Sequence, residues 1–92
     1  MSDFELKAGY VPYDVNMITY DRNGFVTTNC NSIAFINYGT SNVTIDNNVI
    51  LTQGQQLNID GNAGEIINRQ FLVNFSGTGT INNLVTVKKN YI

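Results

Sequence analysis

The chain has 92 residues, 42% of them apolar and only 13% charged, with a formal net charge of −2. That length allows one domain with one modest core, and the apolar content excludes disorder by composition. The acidic balance gives no footprint for a phosphate backbone, so no nucleic-acid partner is expected. No apolar run approaches 18 residues, so no membrane partner is expected either.

The first sixteen residues hold the only proline, Pro12, between Tyr10-Val11 and Tyr13. Residues 1–16 therefore read as an extended arm or an edge strand, ahead of a domain at 17–92. Its start lacks a basic stretch followed by an apolar run, so no secretory signal is expected. Aromatics on such an arm serve as interface anchors or pack back over the domain's own core; both readings stand.

From Met17 onward the period is two rather than 3.6. Met17 to Tyr20 and Gly24 to Thr28 are predicted to form a hairpin around Asn23-Gly24, a strong short-range hairpin signal. Ser32 to Tyr38 is a strand with Ile33 and Phe35 on one face and Ala34, Ile36 and Tyr38 on the other. After a turn at Gly39-Thr40-Ser41 comes a strand from Asn42 to Asp46 with Val43 and Ile45 together. Asp46-Asn47-Asn48 is a tight turn, because Asn and Asp tolerate left-handed backbone angles. Val49 to Leu51 is a short strand, and Gln56 to Asp60 alternates with Leu57 and Ile59 inward. Arg69 to Ser76 places Phe71, Val73 and Phe75 on one face. After Gly77-Thr78-Gly79, the last run from Asn83 to Ile92 puts Val85, Val87 and Tyr91 on one face with Lys89 between. Seven to eight short antiparallel strands with turn signals every several residues predict an all-β fold: a single immunoglobulin-like β-sandwich, with the N-terminal arm extending from it.

Asparagine is the commonest residue, 15 of 92, and histidine is absent. The first supplies hydrogen bonds without charge; the second is the usual general acid/base near neutral pH. Ser–His and Cys–His nucleophile arrangements are thereby excluded. Asp21, Asp46 and Asp60 fall in predicted turns, where carboxylates cap backbone rather than pair for glycoside chemistry. Asn58, Asp60 and Asn62 have the opening spacing of a calcium loop, but Arg69 stands where a bidentate Glu is needed, and a plain turn is the better reading. Cys30 is the single cysteine, so no intrachain disulfide forms, and nothing nearby in sequence activates its thiol. The chain reads as no enzyme, with no catalytic residues, no cofactor, no metal and no small-molecule substrate expected.

Phe35 to Asp46, Ile50 to Gln55 and Leu57 to Asp60 have a distinctive cadence: strand, Gly-Thr-Ser turn, Val-Thr-Ile strand, short apolar pair, Gly-Gln, alternating strand. With Phe75 to Gly79 and Leu84 to Lys89, this stretch of roughly residues 32 to 92 resembles small β-sandwich virion proteins of tailed bacteriophages, particularly those of Bacteroidetes phages such as the crAss-like group. The first 30 residues carry no such resemblance. The resemblance implies a structural virion protein, an auxiliary or decoration protein stabilising the capsid through contacts with major capsid or other virion proteins. It would be made in the host cytoplasm and located in the virion. A small tail or fibre component is an alternative, as is a carbohydrate-binding adhesin module, although tryptophan is absent and the five tyrosines are scattered. The candidate partner-interface residues are Tyr10, Val11 and Tyr13 in the arm and Tyr91 and Ile92 at the C-terminus.

Overall fold

A computed structural model describes residues 12–91. They form eight strands and, among the described residues, no helix: β1 Tyr13–Tyr20, β2 Gly24–Thr27, β3 Ser32–Asn37, β4 Asn42–Ile45, β5 Val49–Leu51, β6 Gln56–Ile59, β7 Gln70–Ser76 and β8 Leu84–Tyr91. Alternation fixes the faces. Along β3 the buried residues are Ile33, Phe35 and Asn37, and along β4 they are Val43 and Ile45. The β4–β5 turn closes as read from the sequence. Asn48 N donates to the Ile45 carbonyl at 3.0 Å, and Asp46 and Asn47 both take φ of 54°. Positive φ at both central residues matches the twist of the flanking strands, and Asp and Asn tolerate it.

The strands make two four-stranded antiparallel sheets, in the orders β1-β8-β3-β6 and β2-β7-β4-β5. The chain behaves as one long hairpin with its tip at Asp46–Asn48. The first strand pairs with the last, β2 with β7, β3 with β6 and β4 with β5. Wrapping that hairpin adds the β3–β8 and β4–β7 ladders. Eight strands wrapped this way into two packed sheets are a jelly roll. The immunoglobulin sandwich instead sets its first strand beside its second. The alternation pattern is common to both arrangements, so it does not fix connectivity.

The hairpin expected around Asn23-Gly24 does not form. β1 lies in the first sheet and β2 in the second, so Asp21–Asn23 bridges the sandwich. Asn23 is used in another way: its Oδ1 accepts from Phe75 N at 2.7 Å, fixing the start of β2 against β7. The arm boundary expected at residue 16 falls inside β1, whose eight residues pair continuously with β8 from Tyr13↔Tyr91 to Tyr20↔Leu84.

Between the sheets lie Val26, Cys30, Ile33, Phe35, Val43, Ile45, Leu51, Phe71, Val73 and Leu84. Phe35 and Phe71, from opposite sheets, meet edge to face with centroids 5.3 Å apart, a geometry favoured by the ring quadrupoles. Buried asparagines hold the loops. Asn37 Nδ2 donates to the carbonyls of Ser41 (2.8 Å) and Leu51 (2.9 Å), and its Oδ1 accepts from Gly39 N (3.0 Å). Asn31 does the same at the other end: its Oδ1 accepts from Tyr91 N at 2.6 Å, and its Nδ2 donates to the Glu65 carbonyl. Buried polar groups need such partners, and here they are the ties between strand ends.

Candidate functional site: the outer face of the β1–β8 pair

Register partners in an antiparallel ladder point to the same side, which defines the outer face of the first sheet. β1 contributes Tyr13, Val15, Met17 and Thr19; β8 contributes Tyr91, Lys89, Val87 and Val85 opposite them. Next to β8, β3 contributes Ser32, Ala34 and Ile36. β6 completes the face with Asn58 and Gln56. Apolar side chains therefore run across three strands on the side away from the core. Tyr13, Val15 and Met17 are 51%, 47% and 69% exposed, while Val85, Val87, Ala34 and Ile36 are half-buried by their neighbours. Bordered by Asn58 and Gln56, this apolar area is contiguous on the sheet face rather than a scatter of single exposed residues, which makes it the candidate docking surface.

One end of the face carries a built cluster. Tyr13 and Tyr91 are register partners, with ring centroids 6.3 Å apart at an interplanar angle of 74°. Lys89, one pair along and opposite Val15, lays its Nζ 4.4 Å from the Tyr13 centroid and 4.8 Å from that of Tyr91. The aromatic faces attract the ammonium, so the one charge on this row is held against the rings instead of standing out from the sheet. Lys88, by alternation, points to the opposite side and pairs with Ile33 and Asn16.

Of the five interface residues read from the sequence, Tyr13 and Tyr91 are brought into direct contact. Tyr10, Val11 and Ile92 lie outside the described residues. The sequence reading missed Val15, Met17, Val85 and Val87 as surface residues. The Val85–Val87–Tyr91 row was visible as one face of a strand, but periodicity does not say which face is covered.

The polar groups elsewhere have structural roles. Asp46 Oδ1 accepts from Leu72 N at 2.8 Å and Oδ2 pairs with Arg69 Nη2, while the Arg69 guanidinium sits 4.4 Å from the Phe71 ring centroid. In the loop after β6, Glu65 Oε1 accepts from Asn62 N at 2.7 Å and Glu65 N donates to the Asn62 carbonyl at 3.0 Å. That is a capped turn, in line with the reading of this segment. Among the described residues no three of Cys, Asp and Glu come together in a way that could hold a metal ion. Cys30 is fully buried; burial pushes its thiol up, with a smaller opposing pull from Lys88, so the reactive thiolate is suppressed. No protein-family model matches the chain, and no curated protein or solved structure matches it either.

Proposed function

We propose that this protein is a structural module of a tailed-bacteriophage virion, an auxiliary or decoration protein whose outer β1–β8 face seats against capsid subunits. The apolar row of Tyr13, Val15 and Met17, continuous with Val85 and Val87, carries the contact part of this reading. Such a surface loses little on desolvation and gains from burial. The capsid part rests on the resemblance of residues 32 to 92, and the jelly roll is an architecture that viral capsid domains use among others. A decoration protein of this kind stabilises a shell by mass action, binding the assembled state in preference to free subunits.

Lys89 supplies the test, because its amine lies on the proposed contact face. Amine-reactive cross-linking of the native particle, read by mass spectrometry, is expected to join Lys89 to major capsid subunits. Cross-links to tail proteins alone move the protein to the tail or fibre. An absence of cross-links to any virion component removes the virion role. Met17→Glu is expected to abolish attachment while leaving the denaturation midpoint nearly unchanged, since exposed substitutions usually shift stability by less than about 0.5 kcal/mol.

A further inference from the structure

Three of the four sheet edges are short. β2 and β6 have four residues each and β5 has three, and brevity is one way native sheets avoid pairing with other chains. The fourth edge, β1, is eight residues long, and its first five residues are exposed whichever way they point. It contains neither lysine nor proline, the residues that usually blunt an edge. Among the described residues it pairs with β8 alone, leaving its other side of backbone N–H and C=O groups without a strand.

We propose that β1 pairs antiparallel with β1 of a second copy, about a two-fold axis normal to the sheet and centred on Asn16, joining two four-stranded sheets into one of eight strands. Such an axis carries the outer face onto the outer face, so each residue must oppose one of like parity. The axis then passes midway between the two copies of one residue, and three choices keep most of the strand paired.

Centred on Asn16, Val15 of each copy faces Met17 of the other on the outer side, extending the apolar face without a break across the axis. Tyr13 faces Thr19, Asp14 faces Ile18, and the two Asn16 amides meet on the axis, where each has both donors and an acceptor to offer. The two Asp14 carboxylates then stand about 14 Å apart, from strand rise and spacing, beyond the ~8–10 Å screening length of ordinary salt. Centring on Val15 brings them to about 8 Å. Centring on Met17 sets Val15 against Thr19 and runs Tyr13 past the end of the strand. Charge disfavours the Val15 centre and apolar matching disfavours the Met17 centre, which leaves Asn16. This pairing is independent of the virion role: a dimer that attaches to no particle leaves it standing, and attachment as a monomer removes it alone.

The full chain is expected to sediment with twice its 10.2 kDa mass. Asn16→Cys is expected to form an interchain disulfide on mild oxidation, because directly opposed residues have Cα atoms about 4.5–5.5 Å apart, within disulfide reach. Val15→Cys is expected not to, since the two copies of residue 15 are diagonal and about 8 Å apart, past the ~7 Å limit. A cross-link in Val15→Cys but not in Asn16→Cys overturns this register. A chain that stays monomeric, with neither variant cross-linking, overturns the pairing and means that something else closes the edge, such as the residues ahead of Pro12 or another protein.

Discussion

Tyr13 and Tyr91 meet edge to face across the β1–β8 ladder, 6.3 Å between ring centroids, with the Lys89 amine over both rings. Their contact joins the start of the first strand to the end of the last. The cluster therefore closes the outermost end of the ladder, and it does so on the face proposed to meet other subunits. Laid against the two rings, the ammonium does not project from the end of that face.

Tyr13→Ala is expected to release Lys89 and fray the end of β1. A cation–π contact at an exposed site contributes about 0.5–1 kcal/mol, and the aromatic cross-strand pair contributes roughly 0.2–1 kcal/mol. Urea denaturation should show a loss of about that size, and amide exchange should accelerate at Tyr13 to Val15 while the core strands stay protected. Tyr13→Phe keeps both ring contacts and is expected to behave as wild type.

Asn37 is completely buried and uses its amide fully on the β3–β4 and β5–β6 connections. Asn37→Leu takes the amide donor from the Ser41 and Leu51 carbonyls, at about 1–3 kcal/mol for each group that stays unsatisfied, while Gly39 N keeps the Asn83 carbonyl at 3.1 Å. The expected loss of several kcal/mol is a large fraction of the ~5–15 kcal/mol that a small domain has. A denaturation midpoint close to wild type would mean that the loops do not depend on this side chain.

The Cys30 thiol is raised by burial. Below the ordinary thiol pKa, about 8.5, folded and unfolded chains both hold the proton and Cys30 gives stability no pH dependence. Above it the unfolded chain loses the proton while the folded chain keeps it, so stability falls as pH rises towards the folded-state pKa. Comparing wild type with Cys30→Val across this range should show a steeper alkaline decline in wild type. Iodoacetamide should modify Cys30 only as fast as the protein unfolds.

Gly79 lies against the Thr40 carbonyl so closely that a Cβ there would overlap it, in the same place where Ser41 Oγ donates to the Gly79 carbonyl at 3.1 Å. Gly79→Ala must push the Gly77–Gly79 loop away from the β3–β4 turn, and an overpacking cost of about 1–3 kcal/mol is expected. Gly54→Ala meets no atoms but sits at φ +82°, so its smaller cost comes from the backbone alone. Thermal unfolding of the two variants should separate a packing clash from a conformational penalty.

What could be read in the sequence was local. Alternation at Ile33–Phe35, Leu57–Ile59 and Phe71–Val73–Phe75 marks strands and their faces because the side-chain period of a strand is two. Asp46-Asn47-Asn48 announces a turn because its residues tolerate positive φ. The missing histidine removed whole classes of chemistry before any fold was known. Asn23-Gly24 shows the limit: the dipeptide offers a hairpin, but β1 pairs with β8 and β2 with β7, in different sheets.

Tertiary structure decided which strands meet and which faces stay open. Thr86 Oγ1 reaches the Ile18 carbonyl at 3.3 Å across 68 residues of sequence, and Tyr91 N reaches Asn31 across 60. No local pattern specifies such pairs, because a strand's period is indifferent to its partner. The same indifference hid the candidate site. Val85, Val87 and Tyr91 share a face in the sequence, but that face is outer because the alternate β8 residues Leu84 and Thr86 are turned towards the second sheet. By itself the sequence determined most of the strands, the Asp46–Asn48 turn and the absence of histidine chemistry. The wrapping of the chain determined that an apolar row, rather than a polar one, is left facing outward.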